Sequence, residues 1–199
     1  MRVFAAKGYE STSLTDLERA MGINRVSMYA TFGNKEALFV KAMMRYTDVG
    51  SRRFLRHLGM EHARDGFETL LRESVAMFTD PHGHGVCFVT QAPLTSGEIS
   101  EKTKRFVAER RAGIELMLGR RLQQALDEGE LLPHASVQNL ARFFAVTILG
   151  LALQAQHGAT RSELMRVVDV AMGTWPPAPR QPRKRKAAKP PAATTGDAA

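Results

Sequence analysis

Three side chains close together in the chain, His82, His84 and Cys87, offer two imidazoles and a thiol in an H-x-H-x-x-C pattern, the donor types of a borderline metal such as zinc. A closed site needs a fourth ligand that the neighbouring sequence does not supply, and the Gly-rich run from Asp80 to Gly85 is accounted for as a helix-ending turn. No metal and no cofactor are expected. Cys87 stands between Val86 and Phe88 without a basic neighbour to activate it, so it reads as a small apolar residue rather than a thiol sensor. The chain also lacks a Gly-rich phosphate loop followed by Lys and Ser or Thr, a G-x-S-x-G elbow and paired histidines at metal-helix spacing. An enzyme is therefore not expected.

The chemistry that the sequence does concentrate is recognition, and it lies in residues 8–39. Ser13 and Asp16 stand at capping-box spacing and start a helix near Leu14, whose Leu14, Leu17 and Met21 form one apolar stripe while Asp16, Glu18 and Arg19 point outward. Gly22 breaks that helix. Asn24 then caps a second short helix from about Arg25 to Ala30, with Ile23 and Met28 packed beneath it, and the three-residue turn forces the steep crossing of a helix-turn-helix. Gly33 ends this unit, and Asn34 caps a longer helix that opens on Lys35, where a positive charge opposes the helix dipole unless an anion such as a phosphate lies near.

Gly8, Tyr9, Thr12, Ser13, Leu17, Gly22, Ile23, Tyr29, Phe32, Lys35, Glu36, Leu38 and Phe39 together make a pattern that resembles the TetR/AcrR family of bacterial repressors. The resemblance covers the first quarter of the chain. It implies an all-α protein with an N-terminal helix-turn-helix DNA-binding domain packed on a helical ligand-binding and dimerisation domain. It assigns base contact to Arg25, Val26 and Ser27, and phosphate contact to Thr12, Ser27, Tyr29, Thr31 and Lys35. An Arg can take guanine O6 and N7, a Val can touch a thymine methyl, and phosphate contacts position the reader without specifying sequence. The bland alternatives are a solvated Arg25, a packed Val26 and a core Tyr29. The family pattern also has a longer first helix preceded by a polar arm, whereas Met1 to Lys7 precede Gly8 here; the expectation is that Met1 is internal to a longer natural protein, with Val3, Phe4 and Ala6 holding the short helix.

At 199 residues and 44% hydrophobic, the chain can bury a substantial core in one or two packed domains. No stretch reads as the roughly twenty apolar residues of a membrane span, and no signal peptide is read, so a cytoplasmic protein is expected. The single cysteine can make no internal disulfide. Of the net charge of +8, the residues from Arg180 onward carry +5, leaving +3 for residues 1–179. The helix-turn-helix, rather than the charge, thus carries the DNA argument.

The expected division is 1–46 for the DNA-binding domain, 47–176 for the ligand-binding and dimerisation domain, and 177–199 for a disordered, basic, Pro/Ala-rich tail. Within the second unit, apolar periodicity predicts helices from about Gly66 to Phe78, Lys102 to Asp127, Val137 to Gln156, and Thr160 to about Trp175. The segment Val86 to Ala92 is read as helix because everything around it is helical. Val137–Gln156 is apolar on nearly all sides and needs partners on two of them, which suits a four-helix bundle between two subunits. The expected dimer interface is Phe143, Ile148, Leu151, Val168 and Met172, and the expected ligand cavity is lined by Phe78, Phe88, Gln91, Phe106 and Phe144. One reader helix covers too few base pairs for selective binding, so a homodimer on a palindromic double-stranded DNA operator is the reading; the resemblance implies its release by a small-molecule effector. The alternatives are a nonspecific nucleic-acid binder acting through the tail, which would lose DNA binding when residues 180–199 are deleted, and a metal-dependent enzyme, which would turn over with metal at His82 and His84 in a variant lacking Arg25.

Overall fold

The computed structural model describes residues 1–80 and 99–176, and these form eight helices. They are α1 (Arg2–Lys7), α2 (Leu14–Met21), α3 (Arg25–Phe32), α4 (Lys35–Leu58), α5 (Ala63–Phe78), α6 (Glu101–Asp127), α7 (Val137–Gln156) and α8 (Arg161–Gly173). The expectations for Val86–Ala92, for His82, His84, Cys87, Phe88 and Gln91, and for the tail lie outside the described residues.

Helix starts follow from short polar side chains. Ser13, Asn24, Asn34, Ser100, Ser136 and Thr160 each accept the amide three residues on, and Ser13 with Asp16 and Thr160 with Glu163 close full capping boxes. Each cap contributes about 1 kcal/mol by satisfying a donor that the helix itself cannot. Two ends are equally local. After α6 and α7, Gly129 and Gly158 take φ of 77° and 92°, and the amides of Glu130 and Ala159 return to the carbonyls of Ala125 and Gln154.

Two hydrophobic clusters hold the helices. The first gathers Phe4, Tyr9, Leu17, Met28, Leu38, Phe39, Ala42 and Met43 around α1–α4. Phe4, Tyr9 and Phe39 form an aromatic triangle with ring centroids 5.1 to 6.1 Å apart. Burying Phe4 contributes about 2 kcal/mol, and this tertiary contact holds a six-residue α1 that would not form alone. Ala5 rather than Ala6 is the second buried residue of α1, because Ala6 points to solvent.

The second cluster joins α5, α6, α7 and α8 through Phe67, Leu71, Leu118, Leu122, Phe144, Ile148, Leu151 and Val168. Phe67, Phe144 and Trp175 meet at its centre, with centroids 4.9 to 5.8 Å apart. By length and composition α7 is apolar enough to cross a membrane, contrary to the sequence expectation, but it lies between α5, α6 and α8 as a core helix. The α4–α5 crossing is closest at Gly66, where an added Cβ would fall on the carbonyl oxygen of His57, well inside van der Waals contact. Gly66→Ala is expected to cost about 1–3 kcal/mol, read as a lowered midpoint in urea unfolding.

Candidate nucleic-acid interface

The reader is built by crossing α3 over α2. Leu17 and Met28 are buried between them, which leaves the opposite side of α3 free. Arg25, Val26 and Ser27 all lie on that open side, and Val26 is 79% exposed, an unusual position for a branched apolar residue unless something covers it. The Ser27 amide is held by Asn24 Oδ1 at 2.8 Å, and the Arg25 Nη2 donates to Glu18 Oε2 on α2 at 3.1 Å. Tyr29 and Thr31 follow along the same helix, both exposed, with the Thr31 hydroxyl donating to the Ser27 carbonyl at 2.8 Å.

Lys35 stands at the first turn of α4 with Nζ 4.5 Å from the centre of the Tyr9 ring and 3.4 Å from the Glu10 carbonyl. The aromatic face offsets part of the unfavourable helix-dipole interaction. Lys41, Arg45 and Arg52 extend positive charge down a shallow groove on the exposed side of α4. Thr12 is placed differently from its expected phosphate role. It is 1% exposed, and its hydroxyl donates to the Gly8 carbonyl at 2.5 Å, so it ties the α1–α2 turn from inside.

Sequence reasoning missed how far α6 reaches into this unit. Ile99 and Val107 are buried in the first cluster, and the Ser100 amide and hydroxyl both donate to Glu36 Oε1, at 3.0 and 2.5 Å. Tyr46 packs against both clusters, so the two units share a side chain as well as α4. The Ser100–Glu36 contact spans 64 positions, a separation that no local pattern signals.

Among the described residues, four carboxyls are held below their ordinary range, each first by a side-chain hydrogen bond: Asp16 by Lys7, Glu36 by Ser100, Glu73 by Arg53 and Glu163 by Thr160. Depressed carboxyls stabilise the fold above their unfolded values, and that stability is lost as the pH falls through the lowered folded values. Unfolding free energy is therefore expected to decline below about pH 4, as urea titrations at stepped pH would show.

The remaining expected sites divide. Phe78 and Phe144 belong to the second cluster, while Phe106 packs against the first, and Phe144 is fully buried in the aromatic centre as packing rather than cavity wall. The expected dimer residues need correction. Ile148, Leu151, Val168 and Met172 are all buried in the subunit's own core, and of the five only Phe143 is open. The open stripe is instead Phe143, Val146 and Leu153 on α7 with Val167 and Val170 on α8. The apolar periodicity of α7 runs all round the helix, so the sequence could not say which side faces inward.

The fold and the exposed start of α3 define a helix-turn-helix DNA-binding protein. Residues 1–42 match the family described as bacterial regulatory proteins, tetR family. The HTH-type transcriptional repressor ComR of Escherichia coli (strain K12) is 32% identical over 180 residues, which cover 88% of this chain and 85% of that protein. An uncharacterized HTH-type transcriptional regulator of Bacillus subtilis (strain 168), YezE, is 27% identical over 174 residues, covering 86% and 90%. Among solved structures, a cysteine mutant of the TetR family transcriptional regulator CifR, complexed with 26-bp double-strand operator DNA, aligns with a TM-score of 0.83 at 35% identity, covering 88% of this chain and 92% of that one. The fold is shared at lower identity by the reduced form of E. coli NemR, with a TM-score of 0.79, 18% identity, and coverage of 90% and 94%. This chain belongs to the TetR family of bacterial transcriptional regulators.

Proposed function

We propose that this chain is a ligand-released repressor that binds a palindromic operator as a homodimer in the cytoplasm. The observation that carries the reading is the outward start of α3, where Arg25, Val26 and Ser27 lie exposed over a buried Met28. A guanidinium, a methyl-bearing side chain and a hydroxyl in sequence are the groups that read a major-groove edge. CifR, 35% identical to this chain, is complexed with double-strand operator DNA, which supports operator binding here. Ser27, Tyr29, Thr31 and Lys35 are the proposed phosphate contacts, with the Thr12 hydroxyl acting from behind through Gly8.

The proposed division is 1–46 for the reader, 47–176 for the regulatory and dimerising unit, and 177–199 for a basic tail. The partner subunit covers the stripe of Phe143, Val146, Leu153, Val167 and Val170. Release then needs an effector that prefers the non-DNA geometry; moving about 99% of the population takes about 5.5 kcal/mol of differential binding. A fold with α6 hydrogen-bonded to the first turn of α4 can transmit such a preference, because displacing α6 displaces Ser100 from Glu36.

Two substitutions separate reading from positioning. Arg25→Ala is expected to cost about 1–3 kcal/mol on the selected operator and to relax specificity at one base pair of each half-site. Lys35→Ala is expected to weaken all duplexes alike and to reduce the salt slope by about one per subunit. Fluorescence titrations of operator and scrambled duplex at several salt concentrations check both. Equal losses on both duplexes for Arg25→Ala would contradict the reading.

A further inference from the structure

Glu18 lies on α2, outside the helix that reads DNA, yet its carboxylate is tied to the one side chain best suited to read guanine. Oε2 accepts from Arg25 Nη2 at 3.1 Å. Its mount is rigid. The preceding Leu17 is buried in the first cluster, and the Glu18 carbonyl accepts the Gly22 amide at 2.9 Å, closing α2 just before the turn. Arg25 itself is the first residue of α3, where a cation opposes the helix dipole, so a carboxylate beside it also steadies the charge.

The donor inventory shows that this pair need not break on DNA. A guanidinium has five N–H groups, and guanine takes two of them through O6 and N7. With one Nη2 hydrogen on Glu18, the second Nη2 hydrogen and those of Nη1 remain for the base. Against DNA lacking the matching guanine, a guanidinium held by Glu18 is not free to turn toward another acceptor, which lowers affinity for the wrong sequence.

We infer that Glu18 is a positioning residue for operator recognition: it fixes the Arg25 guanidinium in the orientation that reads guanine and penalises DNA without it. The inference rests on the proposed reading of α3. It is tested with the duplex that wild-type protein enriches from a randomised pool, a scrambled duplex of the same composition, and the variants Glu18→Gln, Arg25→Ala and both together. Glu18→Gln is expected to lower the ratio of selected to scrambled affinity by about five- to tenfold, through weaker binding of the selected duplex and equal or tighter binding of the scrambled one. In the Arg25→Ala background the same change should have no further effect on the ratio, which a purely structural role for Glu18 would not produce. An unchanged or increased ratio in Glu18→Gln, or an equal fall in both backgrounds, overturns the inference while leaving the proposed function intact. Failure of the wild type to enrich any duplex overturns both.

Discussion

Arg121→Met is expected to lower the unfolding free energy by about 3–5 kcal/mol, the largest single loss foreseen in this chain. Arg121 lies in α6 and is only 6% exposed. Its Nε donates to the Leu58 carbonyl at 2.9 Å, and Nη2 lies within 3.3 Å of the carbonyls of Met60 and Glu61 and of Glu130 Oε1. Those carbonyls belong to the end of α4 and the turn into α5, where a helix has no donors of its own. Glu130 in turn accepts the Ala63 amide at 2.7 Å, so one buried pair satisfies the end of α4 and the start of α5 together. Methionine fills the volume but removes the donor from the buried Leu58 carbonyl and from the part-buried Met60, Glu61 and Glu130 acceptors, leaving Glu130 only its Ala63 amide contact. Arg121→Lys is expected to fall between, because one ammonium cannot span the same acceptors. Urea unfolding at a fixed protein concentration, so that any dimer contribution is held constant, measures both. A loss under about 1 kcal/mol for Met would mean the clamp is not needed.

Placing a carboxylate on the open stripe is the second large effect. Val146 and Val170 are 63% and 73% exposed in the single subunit, so Val146→Glu with Val170→Glu should leave its fold intact. In an isologous interface each substitution is repeated by symmetry, so four carboxylates would enter one apolar contact. The protein is expected to sediment as a monomer. Operator affinity should fall by about 100-fold, because the second reader no longer binds as part of the same particle. Helicity and the thermal transition of the monomer should remain cooperative. A dimer that persists with unchanged operator affinity would place the partner elsewhere.

What could be read from the sequence was whatever is decided locally. The capping boxes at Ser13 and Thr160 and the caps at Asn24 and Asn34 mark helix starts because a side-chain oxygen meets an amide three residues away, whatever surrounds them. Leu38, Phe39, Ala42 and Met43 recur at helical spacing and form the inner face of α4. The partition of α7 was not. Ile148 and Leu151 face the subunit core and Val146 and Leu153 face out, a phase set by where α5, α6 and α8 lie. Arg121 was invisible because three of its acceptors are backbone carbonyls 60 to 63 positions away, which carry no sequence signature. The Glu18–Arg25 pair was hidden in a similar way: Glu18 was correctly read as outward-facing, but the crossing of α2 and α3 brings the two side chains together.

The central claim is sequence-specific operator reading by the start of α3, and its most direct test is in vitro selection from fragmented genomic DNA by wild type and Arg25→Ala side by side. The account predicts that the wild type enriches an inverted repeat with half-sites about one helical turn apart, or a multiple of it, and that Arg25→Ala recovers a degraded version. No enriched sequence with the wild type, or the same undegraded motif with Arg25→Ala, would contradict it.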